Sequence, residues 1–396
     1  MLGPYDVFGS SPDAALRRAA QVPLGDPMLL VPAMAAVTGH LGFGITSSLS
    51  YEPPYLLARR LSTLDHLTEG RVGWNVVTSY LDSAARAMGR PQQVAHDARY
   101  DIAEEYMQLV YKLWEGSWED GAVLADRARS VYAEPSRVHA VHHHGEHYHL
   151  DGIHLCEPSP QRTPVLYQAG SSPAGLAFAA RHAECVFMSG PSARVIAPRV
   201  ADLRRRTVEA GRRADDLLVF ALMTVVVGAT DAEAQDKLAE YRRHVSTEGA
   251  LVLLSGWTGV DYSTADPRQL VRHVENDAGR AAMENFTRAD PTRQWTVGEV
   301  AEHAAIGGVG PLAVGSPQTV ADFLVRWMKD TGVDGYNLAS VVMPETFADV
   351  VELLVPELQR RGAFREGYAP GTLREKLFGQ GPRLAERHPA SRRRVG

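Results

Sequence analysis

The chain has 396 residues, 45% of them hydrophobic and 22% charged, with a formal net charge of −6. That composition supplies a sizeable globular core and carries no basic footprint for nucleic acid or an anionic membrane surface. Its two cysteines, Cys156 and Cys185, make no disulfide framework and fit a reducing cytoplasm, and no apolar run approaches the ~18 residues of a membrane span.

In chain order the apolar pattern alternates between strand and helix, which points to an α/β fold built on a parallel sheet. Residues 27–38 predict a helix and 41–50 a strand ending in polar residues. A helix over 54–68 is followed by a strand over 71–79, in which Val72, Trp74, Val76 and Val77 read as buried on both faces. That strand runs out into Asn75, Thr78 and Ser79, and small polar residues at the carboxyl end of a parallel strand are where α/β proteins place ligand contacts. Ile102, Tyr106, Val110 and Leu113 recur at helical spacing within 99–114. Residues 115–160, rich in turns and histidines, read as an inserted hairpin region.

The next strand, 164–169, enters Ala169, Gly170, Ser171 and Ser172 before a helix over 173–182. Small residues at such a turn leave backbone N–H groups and hydroxyls free for a phosphate, and the capping serine of the helix is then itself a phosphate donor. Strands follow over 184–188 and 217–228, then a helical insertion with a loop over about 229–310, a helix over 320–332 and a last strand over 334–341. The sequence predicts one domain over 1–380 and a disordered tail over 381–396, which ends SRRRVG. Histidines 139, 142, 143, 144, 147, 149 and 154 crowd the hairpin region, but their spacing matches no zinc motif, so no metal is expected. Gly307, Gly308 and Gly310 do not form a dinucleotide fingerprint; Ser316 reads instead as a helix cap with Pro317 at the first helical position.

Several long motifs stand in order: YDVF (5–8), SYEPPY (50–55), STLDHLTEGRVGWNVVTS (62–79), HDARYDIAEEYMQLVYKLWEGSWED (96–120), HLCEPSPQRTPVLYQAGSS (154–172), FAARHAECVF (178–187) and VPELQRRGAFREGYAPGTLREKLFG (355–379). They resemble the flavin-dependent monooxygenases of the bacterial luciferase superfamily. The similarity is to the nitrilotriacetate and dibenzothiophene-sulfone monooxygenase subgroup, and within it to long-chain alkane monooxygenases. The resemblance implies a (β/α)₈ TIM barrel with insertions that binds FMN at the carboxyl ends of its strands. It also implies a two-component system, in which a separate NAD(P)H:flavin reductase supplies reduced FMN and O₂ is consumed through a flavin C4a-peroxide. A small apolar substrate, such as a long-chain alkane, would be hydroxylated, with a sulfone or an aminopolycarboxylate as the alternative. Family members form homodimers or homotetramers.

By resemblance, Thr46, Asn75 and Ser79 lie beside the flavin, Tyr100 lies near its phosphate or ribityl chain, and residues 169–172 hold the phosphate. Tyr80 is the candidate for hydrogen bonding near the reactive edge, and both Tyr80 and Leu253 stand where the alkane enzymes carry pocket histidines. The resemblance further implies about 60 residues before Tyr5, with the first two barrel strands and an acidic strand end. A barrel without them has two open edges, so residues 1–396 alone are expected to be weakly stable and to bind FMN poorly; an inactive flavin-binding chain is a further alternative.

Overall fold

A computed structural model describes residues 6–170, 172–274, 280–290 and 292–395. Its frame is a parallel sheet with helices packed on its outer face. Strands β1 (Phe43–Ser48) and β2 (Val72–Val77) pair in register, Thr46 opposite Asn75. Two antiparallel hairpins follow, β3 (Val123–Asp126) with β4 (Val131–Ala133), and β5 (Val141–His144) with β6 (His149–Gly152). The parallel sheet resumes with β7 (Val165–Gln168), β8 (Cys185–Met188), β9 (Leu218–Val227), β10 (Leu312–Gly315) and β11 (Gly335–Ala339). Strand order is β1-β2-β7-β8-β9-β10, and β11 also pairs with β9. The ten-residue β9 has room for both, β11 along Phe220–Thr224 and β10 along Thr224–Val227. Among the described residues β1 pairs only with β2 and β11 only with β9, so both are edge strands.

Alternation along the strands separates two faces. Phe43, Ile45, Val72, Trp74 and Val76 are buried against the helices Pro54–Leu67 and His96–Gly116. Val186, Met188, Val219, Ala221 and Met223 are buried against the helices Ala193–Glu209 and Pro317–Thr331. The helix Pro173–His182 bridges the two clusters through Phe178 and Leu176. On the inner face Tyr167 stacks on Phe187 with centroids 5.3 Å apart, and Phe187 lies 6.2 Å from Phe220. This aromatic floor depends on Gly73, because a Cβ there would fall 2.5 Å from the Tyr167 ring.

Two features differ from the sequence reading. The strand Leu312–Gly315 joins the sheet, although the sequence pattern predicts no element over these four residues between Gly310–Pro311 and Ser316–Pro317. Ser316 does cap the following helix, accepting from Thr319 N, with Pro317 in the first turn. The segment 381–396, expected to be disordered, packs along the underside as far as it is described. Leu384, His388 and Ala390 are buried, His388 Nε2 lies 2.8 Å from the His182 carbonyl, and Arg394 Nε lies 3.3 Å from Glu115 Oε2. Its arginines find a buried carboxylate, which composition alone does not reveal. The region 229–310 carries the helices Asp231–Arg243, Thr247–Thr258, Arg280–Asn285 and Val297–Gly307.

Candidate active site

The carboxyl ends of β1, β2 and β7 bring most of the sequence candidates together. Thr46, in register with Asn75, accepts a hydrogen bond from Asn75 Nδ2 at 3.0 Å. Asn75 Oδ1 is buried without a partner among the described residues, and so is Gln168 Oε1 at the end of β7. A buried acceptor left without a donor costs free energy unless something supplies one.

Past β2 the chain turns through Thr78 and Ser79. Ser79 adopts the left-handed region at φ 55°, unusual for a residue with a Cβ. Its hydroxyl lies 2.7 Å from the Ser48 hydroxyl, Ser50 Oγ donates to the Thr78 carbonyl at 2.6 Å, and Arg99 Nη1 donates to the Ser79 carbonyl. Sequence reasoning passed over Arg99, whose place inside HDARYD was the only signal available.

The turn after β7 is built for close approach. Ser172 caps the helix Pro173–His182, its Oγ accepting from Gly175 N at 3.1 Å, with Pro173 fixing the first turn. Tyr100, on the first turns of His96–Gly116, brings its hydroxyl over this cap. A Cβ on either Gly170 or Gly175 would sit 2.9 Å from that hydroxyl, and one on Gly170 would also sit 3.3 Å from Gly175 Cα. Tyr100 packs against Phe178 with centroids 5.7 Å apart and against His96 at 5.4 Å, and the Ser172 and Thr78 side chains lie beside its phenol. Burial raises its phenol above the ordinary value, against smaller lowering effects from Ser172 and the Arg99 charge, so at neutral pH it is a protonated donor. Ala169 is exposed beside the half-buried Gly170. Ser171, the remaining sequence candidate, lies outside the described residues.

Tyr80 follows Ser79 and lines a cavity of about 500 Å³ with Leu81, Gln93, Val94 and Gly256. Burial alone pushes its phenol up to about 12. Leu253 lines a separate cavity of about 470 Å³ with Tyr241, Ser246 and Val341.

The histidines of the hairpins engage acids and backbone instead of converging. His139 Nε2 lies 2.8 Å from Glu119, His142 and His144 share Asp151 Oδ1 at 2.7 and 3.2 Å, and His143 Nε2 lies 3.1 Å from Glu105. Glu105 also accepts from His147 N and Tyr148 N at 2.9 and 2.8 Å, which pins the β5–β6 turn to the His96–Gly116 helix. Among the described residues no three His, Cys, Asp or Glu side chains form a metal-binding group. No helix among them is long and apolar enough to cross a membrane.

The family profile described as luciferase-like monooxygenase matches residues 11–335. The dimethyl-sulfide monooxygenase of Hyphomicrobium sulfonivorans is 48% identical over 395 residues, covering 100% of this chain and 82% of the relative. Its crystal structure superposes with a TM-score of 0.92, covering 84% of that chain. The long-chain alkane monooxygenase of Geobacillus thermodenitrificans is 46% identical, covering 100% of this chain and 86% of the relative; a crystal structure of long-chain alkane monooxygenase superposes with a TM-score of 0.90, covering 87% of that chain at 45% identity. A riboflavin lyase solved with modified FMN and riboflavin is 38% identical, with a TM-score of 0.92 and coverage of 100% and 87% of the two chains.

Proposed function

The chain belongs to the luciferase-like monooxygenase family, with its TIM-barrel fold, and we propose that it is the oxygenase of a two-component system. A separate NAD(P)H:flavin reductase supplies reduced FMN, and a small apolar organic substrate takes one oxygen atom from O₂. The classes to test first are organic sulfides and alkanes, because the two relatives described above act on a sulfide and on alkanes.

The observation that carries this reading is the close approach of the Gly170 and Gly175 backbones under the Tyr100 hydroxyl, at the capped start of a ten-residue helix. A glycine-lined turn at a helix N-terminus, a hydroxyl cap and a protonated phenol fit the phosphate of FMN. The uncommitted Asn75 Oδ1 and the Ser48–Ser79 hydroxyl pair offer an acceptor and a donor to a polar ring system above the aromatic floor.

Reduced FMN, when bound, supplies the two electrons that let one atom of O₂ enter the substrate while the other leaves as water. The chain's own part is positioning and exclusion of water. Tyr100, Ser172 and the 169–170 backbone hold the phosphate. Thr46 fixes the Asn75 amide so that its oxygen faces away from the Thr46 hydroxyl, and Ser48 holds Ser79. Tyr80 keeps its proton at neutral pH and lines the neighbouring cavity as a neutral group.

The test is a fluorescence titration of flavin-free protein with FMN and with riboflavin. FMN should bind at least about tenfold more tightly, one charge-assisted hydrogen bond's worth. Equal affinities would remove the phosphate site. Turnover with a flavin reductase, ¹⁸O₂ and a sulfide and alkane panel should place one labelled atom in the product.

A further inference from the structure

We propose that Arg99 is a positioning residue for the cofactor site: its guanidinium holds the Ser79 carbonyl and so fixes the left-handed turn that keeps the Ser79 hydroxyl on Ser48. What that turn serves rests on the flavin reading above; the holding contact stands on the geometry alone.

A residue with a Cβ at φ 55° persists only where its surroundings over-determine it. Three contacts do so here. Ser79 Oγ lies 2.7 Å from Ser48 Oγ, the Thr78 carbonyl accepts from Ser50 Oγ at 2.6 Å, and the Ser79 carbonyl accepts from Arg99. Ser48 and Ser50 sit at the end of β1, which is an edge strand. Arg99 belongs to the 21-residue helix His96–Gly116 and is 2% exposed. Of the three anchors it is the one with a net charge, and charged donors hold a carbonyl more strongly than neutral hydroxyls. Its planar fork keeps less freedom to lose than a lysine would.

The turn also reaches the phosphate side. The Thr78 and Ser172 side chains both lie close enough to the Tyr100 phenol to lower its pKa. Arg99 and Tyr100 are consecutive, so one helical turn holds the flavin-ring side through the first residue and the phosphate side through the second.

The experiment compares FMN dissociation constants for the full chain and for Arg99→Met, Arg99→Lys, Ser79→Gly and the Arg99→Lys/Ser79→Gly pair. Hydrogen exchange of the 77–81 segment is read in each flavin-free protein. Arg99→Met should weaken FMN about tenfold, and Arg99→Lys should weaken it less, since it retains a charged donor. Glycine takes the left-handed turn unaided. Arg99→Lys should therefore cost under about twofold once Ser79 is glycine, and exchange over 77–81 should quicken in both Arg99 single variants. Costs that multiply in the pair, or unchanged exchange in Arg99→Lys, would overturn the proposal, and Arg99→Lys decides it if Arg99→Met fails to fold. A full chain that binds no FMN would overturn the flavin reading and the purpose assigned to Arg99. That outcome is separate from a full chain that binds FMN as tightly with Arg99→Lys as without it, which overturns the role of Arg99 alone.

Discussion

The Glu184–Arg374 pair at one end of the sheet and the Asn75 and Gln168 amides at the other treat their polar groups in opposite ways. At the amino ends of β7 and β8, Glu184 accepts from Arg374 Nε at 2.7 Å, from Arg374 Nη2 at 2.9 Å and from Leu166 N at 3.0 Å. Arg374 also reaches the Thr163 and Pro382 carbonyls, at 2.9 and 2.6 Å. Both partners are nearly inaccessible, and each is close to saturated by the other and by backbone. At the carboxyl ends of β2 and β7, Asn75 Oδ1 and Gln168 Oε1 are just as buried and have no partner among the described residues. Gly170 and Gly175 let the backbone pack closely under Tyr100 there, and Ser79 is held in an uncommon conformation. Saturation stabilises a fold; uncommitted buried acceptors beside a glycine turn hold interactions in reserve for something that arrives later.

If that contrast is right, damage to the closed end should appear as lost stability, and damage to the open end as lost affinity. The largest effect should come from Arg374→Met, which leaves Glu184 buried and unpaired at a cost of about 3–5 kcal/mol. Chemical denaturation should show it, and the Glu184→Gln/Arg374→Met pair should regain part of the loss. A pair as unstable as the single variant would mean that the ion pair is not what closes this end.

Acid should attack the same half of the molecule. His154 lies 3.0 Å from the Ser62 hydroxyl and is buried, and burial lowers its imidazole from 6.5 to about 4. The folded state therefore binds the proton less readily than the unfolded chain. The contribution is fully present above pH 6.5 and is lost as pH falls toward 4, about 3 kcal/mol in all. His154→Gln should flatten that part of the stability–pH curve, and a curve unchanged by the substitution would contradict the assignment.

How much of this was legible beforehand follows from range in sequence. The strands over 72–77, 165–168, 185–188 and 218–227 announce themselves because two-face burial writes continuous apolar runs, and those over 43–48 and 335–339 stand out by their place in the strand–helix alternation. The rim candidates Thr46, Asn75, Ser79, Tyr100, Gly170 and Ser172 are visible as small or polar residues at strand and helix ends, and the resemblance of whole motifs grouped them. What pattern does not carry is pairing at a distance. Glu184 and Arg374 are 190 residues apart and Arg99 and Ser79 are 20 apart, so neither contact leaves a periodic trace. The tail was misread for the same reason: SRRRVG looks solvated until the buried Glu115 beneath Arg394 is seen. The strand over 312–315 was missed because four residues between glycines are too few to establish alternation.

At the open end, Gly170→Ala should separate affinity from stability. The new methyl would fall 2.3 Å from Gln168 Nε2 and 2.9 Å from the Tyr100 hydroxyl. Gln168 can withdraw its flexible amide, so the fold should lose little. The methyl would displace the Tyr100 hydroxyl from the turn, and FMN binding should weaken roughly ten- to a hundredfold. A variant that melts early yet binds FMN normally would reverse the contrast between the two ends.

The smallest expected effect is the sharpest in meaning. Tyr100→Phe removes one oxygen and leaves the ring on Phe178 and His96. The lost hydroxyl lies beside Ser172 and Thr78, both themselves hydroxyls that can turn toward other partners, so stability should change by about 1 kcal/mol or less. If the phenol donates to a phosphate, FMN should weaken by about tenfold or less while riboflavin is unaffected. Burial keeps the phenol above its ordinary value of 10.0, so it remains a donor from neutral pH to about that value. Across that range the ratio of wild-type to Tyr100→Phe affinity for FMN should stay flat, and it should fall only above it, where deprotonation would remove the donor and set a negative charge beside the phosphate. A substitution that weakens FMN and riboflavin equally would instead place Tyr100 against the flavin ring.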